Sequence, residues 1–338
     1  MTVAAEPVLV PDAPAIPGLR FRRLRLPDDL EPLVELFNAA NEADGVEDRS
    51  DVTGLAEWYA HPSGYDPLHD CLIALVDDRL VGYGKVHWVN DADGGRDYAH
   101  WGAVHPEWRR RGLGRAILRA NHQRLREIAS DQDVAPDLVR RFETWAAETQ
   151  PGAIALLESE GFTVARYFFE MLRPDLLGDI AEFPLPAGIE VRPMRPEDYR
   201  QVWEAGVEAF ADHWGGISEG EEMFQRYFGG SDFEPDIWRV AWDGDEVAGS
   251  VSNVVMREFN EATGARRGLL SGVSVRRPWR GRGLARALVS QSLVALRDRG
   301  MTEAILGVDA DNPTGALGVY EANGFVVHRR ELSYRKPF

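Results

Sequence analysis

One block of sequence occurs twice, and that repeat limits the folds open to this chain more than any other feature. Residues 105–118 read HPEWRRRGLGRAIL and residues 276–289 read RRPWRGRGLARALV, which sets Arg109 and Arg280 171 residues apart. RLRLPDDL (Arg23 to Leu30) aligns with RPMRPEDY (Arg192 to Tyr199) at a spacing of 169, and Gly161-Phe162 aligns with Gly324-Phe325 at 163. Blocks that recur in one order at nearly one spacing mark two copies of a single structural unit. The copies span about 19–175 and 188–338. Residues 1–18, with prolines at 7, 11, 14 and 17, read as a mobile tail, and 176–187 as a linker flanked or filled by Pro174, Pro184 and Pro186.

Each copy has the same plan. A short strand (Phe21 to Leu24 in copy one) meets a proline and acidic residues suited to the first turn of a helix. A hairpin follows. Cys71 to Val76 and Leu80 to Trp88 flank Asp77-Asp78-Arg79, and Ile237 to Trp242 and Val247 to Val255 flank Asp243-Gly244-Asp245. A further strand, Tyr98 to Val104 or Leu269 to Val275, runs into the arginine-glycine block and a helix. In copy two a strand (Ala304 to Asp309) and a helix (Thr314 to Asn323) close the unit. In copy one the closing pieces are Leu138 to Trp145 and Gly152 to Glu160, and extra residues around Ala129 to Asp137 read as a loop insertion.

In Val273 to Ala287 the arginines Arg276, Arg277, Arg280 and Arg282 crowd the N-terminus of a helix whose apolar face runs through Ala285, Val289 and Leu296, and Gly300 suits its C-terminal end. The helix dipole already makes that N-terminus positive. Glycines and arginines gathered there point to an anion site, in which backbone N–H groups approach phosphate oxygens. The formal net charge of −17 argues against nucleic acid as the anion and suits a cationic small molecule as partner. The single cysteine, Cys71, lies in the apolar run CLIALV, so a buried thiol is expected, with no disulfide and no metal cluster. The N-terminus has no basic, apolar leader and the chain no eighteen-residue apolar run, so a soluble, cytoplasmic protein is expected.

The order of elements, the Arg-x-x-Gly-x-Gly/Ala blocks (Arg109, Gly112 and Gly114; Arg280, Gly283 and Ala285) and the closing segment Val308 to Phe325 together resemble the GNAT superfamily of acyl-CoA-dependent N-acyltransferases. The resemblance covers all but the tail and linker. It implies an α/β fold of the α+β type: two tandem GNAT-like domains, each a mixed, mostly antiparallel sheet with helices on both faces. It implies acetyl-CoA as donor, CoA as product, and a small-molecule amine as acceptor. Neither nucleic acid, membrane nor metal enters, and a monomer or homodimer is expected.

Roles follow by position. The backbone of Val273, Ser274 and Val275 would flank the pantetheine arm, and that of Arg280, Gly281, Arg282, Gly283, Leu284 and Ala285 would hold the pyrophosphate. Asn312 would bond near the pantetheine, and Tyr320 would protonate the departing thiolate. In copy one the cofactor positions are Gly102, Val104, Arg109, Arg110, Arg111, Gly112, Leu113 and Gly114. Leu157 stands where copy two has Tyr320, so copy one keeps a binding loop without the acid. Many relatives carry a glutamate base eleven residues before the first motif arginine. Leu269 and Tyr98 occupy those positions here, leaving Asp309, His213, Glu258 and Glu261 as candidates. The tandem plan with a degenerate first copy also resembles mycothiol synthase-like members, which would make a cysteinyl pseudodisaccharide one alternative acceptor. A catalytically silent acyl-CoA-binding protein is the alternative from outside enzymology.

Overall fold

The structure is a computed structural model that describes residues 7–338 except 61, 63, 91–93, 133, 134, 136, 212, 213, 215–219, 231 and 313. In chain order the elements are β1 (Leu19–Arg23), α1 (Leu30–Asp44), α2 (Val52–Ala60), α3 (Pro67–Asp70), β2 (Cys71–Val76), β3 (Arg79–Asn90), β4 (Arg96–Val104), α4 (Leu113–Asp131), β5 (Arg140–Ala147), α5 (Pro151–Ser159) and β6 (Thr163–Arg173). The second series is β7 (Ile189–Arg192), α6 (Tyr199–Phe210), α7 (Glu221–Gly229), β8 (Arg239–Asp243), β9 (Glu246–Val255), α8 (Arg257–Thr263), β10 (Arg267–Val275), α9 (Leu284–Asp298), β11 (Glu303–Asp309), α10 (Ala316–Ala322) and β12 (Val326–Pro337). Among the described residues no helix is long and apolar enough to cross a membrane.

The chain divides into two compact units, each a mixed, mostly antiparallel sheet with helices on both faces. Unit 1 comprises residues up to 165 and the C-terminal residues 332–338; unit 2 comprises 166–331. In unit 1, β1 to β4 are joined by antiparallel pairs and β4 runs parallel to β5, with the end of β12 beside β5. Unit 2 repeats the pattern: β7 to β10 are antiparallel, β10 is parallel to β11, and residues 168–173 of β6 pair antiparallel with β11. Residues Asp77 and Asp78 take left-handed φ values of 47° and 69°, which lets the β2–β3 hairpin close with the twist of its strands.

Alternating apolar side chains give each sheet two buried faces. In unit 1 one face packs Leu33, Leu36 and Phe37 of α1 on Ile73 and Tyr83, and the other packs Leu113 and Ile117 of α4 on Ala74 and Val81. A third cluster joins Tyr98, Phe142, Leu157 and Phe162 to Tyr334 from the chain's last strand. Unit 2 buries Leu284, Leu288, Leu293 and Leu296 of α9 with Val240, Trp242, Val251 and Leu306. Cys71 is buried, and burial pushes its thiol up to about 11, so it is no thiolate at neutral pH.

The units do not follow the expected bounds of 19–175 and 188–338, because residues 166–175 fall in unit 2 and 332–338 in unit 1. Three further stretches also differ from their sequence reading. The extra residues of copy one, expected as a loop, begin as helix: α4 has 19 residues and ends at Asp131, whereas α9 has 15. Residues 7–18 lie along unit 1, with Val10 in its core, Val8 N–H donating to Phe21 O (2.9 Å) and Asp12 paired with Arg119 (2.8 Å). Residues 174–188 lie against unit 2, where Leu176 is buried and Ser290 Oγ donates to Ala181 O (2.6 Å).

Candidate active site

The cleft in each unit begins where two parallel strands part. In unit 2 the β10–β11 ladder pairs Arg267 to Leu269 with Glu303 to Ile305 and goes no further. Beyond Leu269, β10 stays bonded to β9 through Val273, Ser274 and Val275, so its other edge has no strand partner. An edge of this kind presents unpaired amide and carbonyl groups to whatever lies in the split. Unit 1 repeats the split: β4 and β5 pair from Arg96 to Ala99 and part before Gly102 and Val104.

At the end of β10 the chain turns through Pro278 and Trp279 into α9. Trp279 is buried and donates from Nε1 to Asp243 (2.9 Å), which anchors the turn. Gly281 and Gly283 follow with φ of 74° and 84°, values that L-residues adopt only with strain. Nothing lies within 4 Å of where a Cβ would stand on either glycine. No side chain caps α9, and Ala287 is the first residue whose N–H reaches a carbonyl one turn back (Gly283, 3.2 Å). The result is an open cradle of backbone donors at the positive end of a helix, suited to a pyrophosphate.

The motif arginines do not line that cradle with their charges. Arg280 turns back, donating from Nε to Val275 O (3.0 Å) and from Nη2 to Ala209 O at the end of α6 (2.9 Å). Arg109 does the same in unit 1, bonding Val104 O (3.1 Å) and Asp44 (2.5 Å) of α1. Both tie the end of a strand to the end of a helix and so hold the loop. Arg276 pairs with Glu208 (2.8 Å), and the side chains of Arg277 and Arg282 are exposed on the unit 2 loop. In unit 1 Arg110 and Arg111 are exposed, Leu113 is buried, and Gly114 faces Leu156 of α5. A Cβ on Gly112 would stand 3.4 Å from Pro14 of the N-terminal segment, whereas the equivalent Gly283 faces open space.

Tyr320 lies on α10, 6% exposed, with its ring edge-on to Phe325 at 6.1 Å. Burial pushes its phenol up to about 12, so it carries a proton throughout the neutral range. Asn323 Nδ2 donates to Val319 O (2.9 Å) and Arg286 O (3.4 Å), which pins α10 to α9. In unit 1 the equivalent Leu157 is buried among Phe142, Phe162 and Tyr334, and its own side chain has no proton to give. Asn312 accepts from Thr314 N–H (2.9 Å) and from its hydroxyl (2.5 Å), so its side-chain carbonyl shapes the turn into α10.

The base candidates separate by geometry. Asp309 is 2% exposed and held by Nε and Nη2 of Arg166 (2.9 and 2.7 Å), with Asp311 N–H on the same carboxylate (3.0 Å). A carboxylate so engaged fixes the β11 end and the turn after it. Glu258 and Glu261 are exposed on α8. His213 lies outside the described residues. The hydroxyls of Ser252, Ser271 and Tyr227, which the sequence reading passed over, meet beside the strand at Gly272, with Tyr227 Oη 3.0 Å from Ser252 Oγ and 3.5 Å from Ser271 Oγ. No spacing rule joins α7 to β9 and β10, so only the folded chain brings them together.

The split strands, the cradle at α9 and the tyrosine on α10 define an acyltransferase cleft of the GNAT type. Family models agree: residues 199–325 match the acetyltransferase (GNAT) family and residues 67–164 an acetyltransferase (GNAT) domain. The chain belongs to the GNAT acetyltransferase family, as a tandem member, and is an acetyltransferase. It is 32% identical over 313 residues to the mycothiol acetyltransferase of Geodermatophilus obscurus, covering 92% of this chain and 95% of that one. It is 32% identical over 311 residues to the mycothiol acetyltransferase of Thermobispora bispora, covering 92% and 97%. Among solved structures, a GCN5-related N-acetyltransferase from Sphaerobacter thermophilus matches with a TM-score of 0.74 and 25% identity, over 95% of this chain and 96% of that one. A tandem GNAT protein from the clavulanic acid biosynthesis pathway shares the fold, with a TM-score of 0.66 at 19% identity over 94% and 98% of the two chains.

Proposed function

We propose that unit 2 transfers an acetyl group from acetyl-CoA directly to the primary amine of a small molecule, and that unit 1 retains a cofactor-binding geometry with little or no chemistry. The observation that carries this reading is the contrast between two matching clefts, one ending in Tyr320 and the other in Leu157. Acetyl-CoA supplies an activated thioester. The free edge at Val273 and Val275 flanks the pantetheine arm, and the N–H groups from Gly281 to Ala285 hold the pyrophosphate. Tyr320 keeps its proton until the C–S bond breaks and then gives it to the departing thiolate. With a leucine at 269 and Asp309 held by Arg166, neither of these two positions supplies a free carboxylate to deprotonate the acceptor. The amine enters neutral or passes its proton to water.

For the acceptor, near full-length similarity to proteins named mycothiol acetyltransferase favours a mycothiol-type substrate, a cysteinyl pseudodisaccharide, over an antibiotic amine or a protein lysine. The protein works in the cytoplasm in this reading. The test is thiol release from acetyl-CoA with the cysteinyl pseudodisaccharide and a panel of simple amines, repeated with Tyr320→Phe and Leu157→Ala. Release that Leu157→Ala preserves and Tyr320→Phe loses supports the assignment. Full activity in Tyr320→Phe overturns the division of labour. CoA binding without release for any amine replaces the reading with that of an acyl-CoA-binding protein.

A further inference from the structure

The sheet registers align the two units residue by residue on the face opposite α4 and α9. Val104 pairs with Gly82 in unit 1 and Val275 with Gly249 in unit 2. Stepping along each ladder, the pair Tyr83 and Ala103 corresponds to Ser250 and Ser274, and the pair Lys85 and Trp101 corresponds to Ser252 and Gly272. At one place in the fold, Tyr83, Lys85 and Trp101 of unit 1 are therefore exchanged for two serines and a glycine in unit 2, with Ser274 in place of Ala103.

In unit 1 this face is filled. Phe37, Tyr83 and Trp101 pack with ring centres 5.1 to 5.8 Å apart. Lys85 is 8% exposed, and its Nζ stands 3.7 Å from the ring centre of Trp58 and 4.0 Å from that of Tyr65. Among the described residues no carboxylate pairs with it. Burial lowers its ammonium to about 8, so a fraction is neutral amine near neutral pH. A primary amine is thus held between two aromatic faces, an arrangement used to recognise cationic ligands. It stands one cross-strand pair from the split edge at Gly102.

In unit 2 the same face is lined by hydroxyls and rings. Tyr227 comes from α7, the helix that follows α6 as α2 follows α1, and its Oη reaches Ser252 Oγ as Tyr59 Oη of α2 reaches Tyr83 Oη in unit 1. Trp203 lies with its ring centre 5.7 Å from that of Tyr227. A Cβ at Gly272 would come within 3.0 Å of Ser252 Oγ and 3.5 Å of Tyr227 Oη, so that position admits no side chain without displacing the hydroxyls.

We propose that Ser252, Gly272 and Tyr227 form the acceptor subsite of unit 2, and that Lys85 is the chain's own amine held in unit 1 where an external acceptor's amine sits in unit 2. The proposal rests on acetyl transfer in unit 2. It makes Ser252 and Gly272 the residues that admit an acceptor, and Lys85 with Trp101 the residues that close unit 1 to one.

The test needs no known acceptor. Ser252→Lys places a primary amine at the proposed acceptor position. Its nitrogen attacks the thioester carbonyl, the C–S bond breaks, and the amine proton leaves with the thiolate, giving an acetamide and CoA thiol. The full-length variant incubated with acetyl-CoA is expected to gain one acetyl group on the peptide containing position 252, about a hundredfold more slowly when Tyr320→Phe is added. Acetyl-CoA that binds without modifying the variant overturns the subsite. Acetylation at Lys85 instead overturns the assignment of chemistry to unit 2. No binding of acetyl-CoA to the unaltered protein means that the acetyl-transfer reading itself has failed. Should Ser252→Lys not fold, Ser271→Cys changes only an exposed hydroxyl of the same cluster, with Cys71 buried. Acetyl-CoA is expected to slow its alkylation by iodoacetamide about tenfold, and an unchanged rate sinks the proposal.

Discussion

Tyr320 combines a raised phenol with a place on a helix pinned to α9, and both matter to what its loss should do. Tyr320→Phe keeps the ring against Phe325 and removes only the proton. Turnover is expected to fall by about 10²- to 10⁴-fold, while the KM for acetyl-CoA and the melting temperature stay nearly unchanged; steady-state kinetics and a thermal melt decide it. The histidines of unit 1 make a second prediction. His100 and His122 are buried with their Nε2 atoms 3.3 Å apart, one donating to the other, and His122 stacks on Phe142. Burial holds His87, His100 and His122 at about 4, 3 and 2, well below the ordinary 6.5. Below pH 6.5 the unfolded chain takes up protons that the folded chain refuses, so stability falls as pH is lowered through 6.5 towards 4. The melting temperature should drop between pH 7 and pH 5, and His122→Phe should flatten that dependence.

At the scale of elements, the strand–loop–helix block of each unit works because β9 and β10, like β3 and β4, approach closely at glycine. A Cβ on Gly249 would stand 2.5 Å from Ser274 O and 3.2 Å from Val275 Cα, both backbone atoms. Neither can move without opening the ladder beside the cleft. Gly249→Ala is expected to destabilise unit 2 by about 2 kcal/mol or more, seen as a lower denaturant midpoint. Gly283→Ala meets no neighbour but must adopt φ of 84°, at about 1–2 kcal/mol. Its larger effect is expected on CoA affinity, measured by calorimetry, because the cradle's N–H groups turn with that residue. These blocks were legible in the sequence, since glycine, proline and apolar spacing act locally. The direction of the arginines was not: the block as a whole read as an anion site, and the Arg280 guanidinium instead bonds carbonyls of β10 and α6 that only folding brings near.

The whole molecule distributes its chain in a way that truncation should reveal. Tyr334 is 1% exposed in the unit 1 core, Phe338 stacks near Tyr98 at 4.4 Å, and Arg335 pairs with Asp97 at 2.5 Å. Unit 2 includes residues 166–173, whose strand pairs with β11 and whose Arg166 holds Asp309. Tyr334→Ala should cost about 3–5 kcal/mol, read as early melting of unit 1. A chain of residues 188–338 leaves the β11 edge unpaired and Asp309 buried without its cation. It is expected to be insoluble or unfolded by circular dichroism, whereas a soluble, cooperatively melting 188–338 would show that the β6 strand is dispensable.

The sequence alone determined the repeat, the order of its elements, the glycine loops at the starts of α4 and α9, and the exchange of Tyr320 for Leu157. Each of these is written in neighbouring residues or in the comparison of two copies. Only the tertiary structure decided that residues 332–338 complete unit 1 and residues 166–173 belong to unit 2, that Asp309 is clamped by Arg166, and that Ser252, Ser271 and Tyr227 meet at Gly272. Those outcomes depend on pairings between strands and helices far apart in the chain, where hydrogen-bond register and close packing choose the partners and local spacing carries no signal.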